Sequence, residues 1–167
     1  MAEQDPFASL LEGNRRYALD FDRPGMKPPA RAGVAVVTCM DSRIDPLRML
    51  GLELNDAKVL RNPGAQVTEP MLEALVLAVH LLGVTRIAVV AHTDCAVASA
   101  SEDELRERVA ASAGRAADWQ HFHAVSNQRR ALTEDVRRVG THPLIGEHVA
   151  VGGFLYDVDT GLLDHLV

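Results

Sequence analysis

The sequence predicts an α/β fold, with a mostly parallel central sheet of about four strands plus an edge strand, flanked by helices. Two observations carry that prediction. Short apolar runs rich in β-branched residues recur at 33–38, 57–61, 86–91 and 149–156, bounded by glycine or polar residues, as strands buried on both faces read. Between them lie stretches with helical spacing and helix start and stop signals, the alternation expected of parallel strands joined by crossovers. At 167 residues, one domain over 1–167 is expected, with 1–30 as an N-terminal helix and connector arm.

From Pro6 to Asp20, Phe7, Leu10, Leu11, Tyr17 and Ala18 fall near one helical face. The connector from Arg23-Pro24-Gly25 through Pro28-Pro29 cannot continue a helix. A helix on such a tether packs on its own core or on a second subunit; the sequence leaves both open. The first strand, Gly33 to Thr38, delivers Cys39, and Pro46 suits the first turn of a short helix, Leu47 to Leu50, closed by Gly51. The second strand, Ala57 to Arg61, ends in the turn Asn62-Pro63-Gly64.

Thr68 is placed to cap a helix with Pro70 in its first turn and Gly83 just past its end. The body of that helix, Met71 to Leu82, is apolar nearly all round, which predicts burial on more than one side, the second cover being another subunit. A third strand over 86–91 delivers His92 and Cys95. Ser101-Glu102-Asp103-Glu104 is a capping box opening a polar helix toward Ala113. After an irregular stretch around Trp119, Leu132, Val136 and Val139 mark the inner face of a further helix, with Gly140 as its stop. The fourth strand lies near 149–156, and Asp159-Thr160-Gly161 turns into an edge strand over 162–166.

Bulk properties exclude several function classes. An apolar fraction of 47% and a charged fraction of 24% are those of a folded globular chain. The net charge of -6 argues against nucleic acid as a partner, because a basic face is required. The Arg129-Arg130 and Arg137-Arg138 pairs are interrupted by Glu134 and Asp135 and read as a solvated helix face. No apolar run approaches the ~20 residues of a membrane span. The start, Met1-Ala2-Glu3-Gln4-Asp5, is acidic and lacks the pattern of a signal peptide, so a cytoplasmic location is expected.

Only two cysteines occur, and both lie at predicted strand ends, Cys39 in Cys-Met-Asp-Ser-Arg and Cys95 in His-Thr-Asp-Cys. In a reducing compartment that usage points to a metal or to catalysis before a disulfide. In open α/β sheets, chemistry gathers at the carboxyl ends of the strands. Cys39, His92 and Cys95 would meet there as three zinc ligands with a fourth position open for water or substrate. Alone, His-x-x-Cys is a weak signal, since buried cysteines often serve as small hydrophobes. Asp41 and Arg43 can pair bidentately, fixing a carboxylate beside the metal. In isolation such a pair more often just closes a loop. Beside zinc, which lowers the pKa of bound water from about 15.7 to roughly 7, it would help deliver hydroxide.

These residues together resemble the β-class carbonic anhydrases: Cys-x-Asp-x-Arg after the first strand, Arg-Asn-x-Gly after the second, His-x-x-Cys after the third. The similarity runs from about Phe7 through Gly153–Val158 and Thr160-Gly161, and its wording is nearest the short branch that includes carbonyl sulfide hydrolases. The resemblance implies reversible hydration of carbon dioxide to bicarbonate and a proton by zinc-bound hydroxide. It implies Cys39, His92 and Cys95 as zinc ligands and Asp41 with Arg43 as the catalytic dyad. In some members the aspartate instead binds zinc in an inactive closed state, so Asp41 has two possible roles. The family's dimeric unit implies a homodimer or a dimer of dimers, with the site near the subunit interface.

Two departures bear on substrate contacts. Ala96 stands where the family usually has glycine, and it keeps the backbone amide that would face substrate unless the position requires positive φ. Pro63 replaces a small residue before Gly64, itself a candidate substrate contact. The alternatives are a carbonyl sulfide or carbon disulfide hydrolase on the same site, and a non-catalytic protein whose zinc only stabilises a dimer. His121 and His123 could relay protons or bind a second metal, but two histidines in a polar loop are usually solvated. His80 reads as a hydrogen-bonded core or interface residue, and Gln66 lies close enough in sequence to approach the pocket.

Overall fold

The computed structural model describes residues 5–167; the acidic segment Met1–Gln4 lies outside the described residues. Five strands form one sheet in the order β2-β1-β3-β4-β5. They are β1 (Val34–Cys39), β2 (Ala57–Asn62), β3 (Arg86–His92), β4 (Ala150–Tyr156) and β5 (Leu163–His165). The first four run parallel and β5 is antiparallel on β4, which is the predicted α/β architecture. Every residue of the central β1 is buried, consistent with its unbroken apolar run. Its one hydroxyl, on Thr38, donates to the Val90 carbonyl at 3.0 Å and so costs little to bury.

Among the described residues, four α-helices accompany the sheet: α1 (Ala8–Leu19), α2 (Glu69–Leu82), α3 (Glu102–Ala113) and α4 (Gln128–Gly140). The main core joins α2 and α4 to the sheet through Leu72, Leu75, Val89, Leu132, Val139 and Ile145. The capping box at Ser101 and Glu104 forms as predicted. Thr68 occupies the N-cap of α2 in extended conformation, but its side chain makes no capping bond; Glu69 and Pro70 start the helix instead. Helix α4 ends at Gly140, the predicted stop, and the Thr141 amide closes onto the carbonyls of Arg137 and Val139.

Within one protomer, α2 is buried on one side only. Met71, Leu72, Leu75 and Ala78 face the core, whereas Leu77 and Leu81 are exposed. Helix α1 contributes no buried residue, and Phe7, Leu10, Leu11 and Tyr17 stand in solvent. Among the described residues, no helix is long and apolar enough to cross a membrane.

Candidate metal centre

The sheet register brings the predicted ligands together. Cys39 pairs with Asn62 at the carboxyl end of β1, and His92 pairs with Tyr156 at the carboxyl end of β3, the strand next to β1. A turn after His92 returns Cys95 to the same place. Cys39 Sγ, Cys95 Sγ and a His92 ring nitrogen lie within 4.8 Å of one another, all three residues buried, in a group that can hold a metal ion. Both cysteines are free thiols.

The imidazole shows what kind of atom the cluster suits. His92 Nδ1 lies 2.8 Å from the Thr93 carbonyl and donates to it, which leaves Nε2 with its lone pair bare. Among the described residues, Nε2 is the buried side-chain nitrogen or oxygen without a hydrogen-bond partner. Such an orphan costs free energy unless something binds it. Burial holds His92 below the ordinary imidazole pKa, outweighing the Thr93 carbonyl and Asp41 that favour its charged form. Burial likewise pushes the Cys95 thiol up. A neutral, correctly turned imidazole between two soft sulfur donors fits zinc.

Backbone and side chains brace this cluster. The Gly64 amide donates to Cys39 Sγ at 3.3 Å. Arg61 reaches from β2 across the Cys39–Asp41 loop, with Nε on the Cys39 carbonyl at 2.8 Å and Nη2 on the Asp41 carbonyl at 2.6 Å. Asn62 closes the following turn by exchanging two bonds with the Gln66 backbone, at 2.7 and 2.9 Å. Gln128 of α4 donates to the His92 carbonyl at 2.9 Å. The Arg-Asn-x-Gly run was readable as a motif, but its job as a brace required the neighbouring strand. Gln128 carries no sequence signal for its contact.

Asp41 and Arg43 form the predicted fork. Arg43 Nε and backbone N–H both reach Asp41 Oδ1, at 3.0 and 2.9 Å, while Nη2 reaches Oδ2 at 2.8 Å. These hydrogen bonds hold the Asp41 carboxyl well below the usual carboxylate range, and Asp41 in turn raises Arg43. Asp41 Oδ2 stands 4.0 Å from His92 Nε2, so the ionised carboxylate borders the ligand cluster.

A cleft of about 750 Å³ opens over Cys39, Asp41 and Cys95. Its wall is largely apolar and includes Met40, Val97, Leu105 and Phe122. Ala96 lines the cleft and is absent from the residues with positive φ, so alanine carries no left-handed strain there. Pro63 lines it too, while the next residue, Gly64, turns its amide to the Cys39 sulfur. Gln66 bridges the carbonyls of Pro63 and His123 at 3.1 and 3.0 Å, and His80 bonds the Leu144 carbonyl at 2.7 Å from an exposed position.

A family model described as carbonic anhydrase matches residues 34–163, which include every residue of the cluster and the fork. The chain belongs to the β-class carbonic anhydrase family. Beta-carbonic anhydrase 1 of Mycobacterium tuberculosis is 33% identical over 159 residues, covering 93% of this chain and 94% of the relative. A carbonic anhydrase crystal structure from Streptococcus mutans superposes with a TM-score of 0.87 at 32% identity, covering 96% of this chain and 97% of that one. A carbon disulfide hydrolase of Acidithiobacillus thiooxidans is 27% identical over 184 residues, covering 98% of this chain and 90% of the relative. This β-carbonic anhydrase family member is therefore a lyase of the carbonic anhydrase type, in a family with carbon disulfide hydrolase relatives.

Proposed function

We propose that this family member catalyses the reversible hydration of carbon dioxide to bicarbonate and a proton, with zinc held by Cys39, His92 and Cys95. The observation that carries the reading is the bare, buried Nε2 of His92 beside two free thiols at the foot of a cleft. When bound, zinc supplies a Lewis acid that lowers the pKa of water from about 15.7 to roughly 7. The remaining steps belong to the chain. Arg43 keeps Asp41 ionised and aimed, so Oδ2 accepts a hydrogen bond from the reacting water and orients its lone pair. Because its pKa is depressed, Asp41 is too weak a base to retain the proton, which leaves to solvent through the open cleft. The apolar wall receives the linear, uncharged substrate and excludes competing water, and Ala96, which lines the cleft, offers its backbone amide to a substrate oxygen.

The test is stopped-flow hydration with a pH indicator at mildly alkaline pH, on protein containing one zinc per chain. Asp41→Ala is expected to keep its zinc and lose most turnover. No rate above buffer in zinc-replete wild type overturns the proposal; unchanged turnover in the variant removes Asp41 from it.

The apolar breadth of the cleft also supports a second reading, hydrolysis of carbonyl sulfide or carbon disulfide by the same attack. Sulfide release measured against carbon dioxide turnover separates the two. The exposed apolar residues of α1 and α2 support a homodimer or dimer of dimers, and light scattering after size exclusion tests it. Free thiols at the site accord with a cytoplasmic location.

A further inference from the structure

Arg43 has a second carboxylate partner. Its Nη1 donates to Asp94 Oδ2 at 2.8 Å, and its Nη2 donates to the Asp94 carbonyl at 3.0 Å. The guanidinium is thus gripped from both ends, by Asp41 on one side and Asp94 on the other. Asp94 lies between the ligand candidates His92 and Cys95 and adopts φ +52°, a left-handed conformation that aspartate accepts more readily than most non-glycine residues. By contrast Ala96, the departure conspicuous in sequence, has no positive φ.

Stability does not account for this arrangement. The Asp94 side chain is 74% exposed, and exposed ion pairs contribute little to folding. The left-handed backbone instead turns the Asp94 carboxylate and carbonyl toward Arg43, which serves orientation. What is oriented is clear from distance: Asp41 Oδ2 lies only 4.0 Å from His92 Nε2. A carboxylate that near a cation would become a ligand itself if its arginine partner swung away. Arg43 is partly exposed and on a loop, so its fork to Asp41 alone would leave one end of the guanidinium loose.

We infer that Asp94 is a positioning residue: by clamping the far end of Arg43, it keeps the Arg43–Asp41 fork closed and Asp41 off the metal. The inference rests on the zinc reading of the Cys39–His92–Cys95 cluster. Asp94→Gly tests it, because glycine removes the carboxylate while accepting the positive φ. Asp94→Asn is the conservative partner, retaining an acceptor for Nη1 and tolerating the same backbone.

Asp94→Gly is expected to bind stoichiometric zinc and melt no lower than wild type, yet lose about 10–100-fold in kcat, as outer-shell changes at metal sites do. Asp94→Asn should recover most of that loss. The cobalt-substituted Asp94→Gly protein should show altered visible bands from carboxylate entry, and the Asp41→Ala/Asp94→Gly double variant should lack the alteration. Wild-type bands and kcat in Asp94→Gly overturn the inference, as do altered bands that persist in the double variant. Failure of wild type to take up cobalt or zinc defeats the metal reading itself, a separate and recognisable outcome.

Discussion

Replacing Gly64 by alanine tests how tightly the turn behind Cys39 is determined. Gly64 has φ +79°, and a Cβ there would stand 2.8 Å from Val97 Cγ2 and 3.3 Å from Gln66 Nε2. The left-handed backbone alone costs alanine about 1–2 kcal/mol. Val97 is half-buried and stiff at χ1, so relieving the contact adds an overpacking cost of about 1–2 kcal/mol, the lower part of the usual range. The sum is about 2–4 kcal/mol, and at roughly 3 °C per kcal/mol for a chain of this length the melting temperature should fall by about 6–12 °C. Gly51 provides the control, with φ +65° and nothing within 4 Å of the added Cβ. Gly51→Ala should cost only the backbone part, about 1–2 kcal/mol, or roughly 3–6 °C. Both variants are melted by calorimetry at one protein concentration and one zinc loading. Equal losses in the two variants would refute the argument that Val97 crowds this turn.

If the cluster holds zinc as proposed, removing it should destabilise the fold. At a free zinc concentration of about 100 times Kd, binding contributes ~2.7 kcal/mol, so exhaustive chelation should lower the melting point by roughly 8 °C and zinc should restore it. Glu102 accepts the amides of Phe122 and Ala124 at 2.7 and 3.0 Å, pinning the loop that carries Phe122 into the cleft. Glu102→Ala should accelerate hydrogen exchange at those two amides while leaving β1 protected. Asp135 is pushed above the usual carboxylate range by burial, although it accepts the Val67 amide at 3.1 Å. A raised carboxylate pKa penalises the native state above that pKa, and the penalty fades as pH falls through it. Asp135→Asn, which keeps the acceptor, should therefore be more stable than wild type at neutral pH, with the difference in urea midpoint shrinking on acidification.

The sequence by itself determined the strands, because runs such as 34–39 and 86–92 are apolar without alternation and have few other ways to be buried. It also determined which residues could form the cluster, since thiols and an imidazole at strand ends have a restricted chemistry. Local signals did not reach every contact. Thr68 has the right type for a cap yet makes no bond. That the Gly64 amide turns to Cys39 Sγ follows only from the packing of β2 against β1. The roles of Arg61, Gln128 and Asp94 were likewise decided by tertiary structure. Each acts through a hydrogen bond spanning between 20 and 51 positions of chain, a separation at which residue type and spacing carry no information. Composition and period select the elements; the register of β1 against β3 decides which side chains meet.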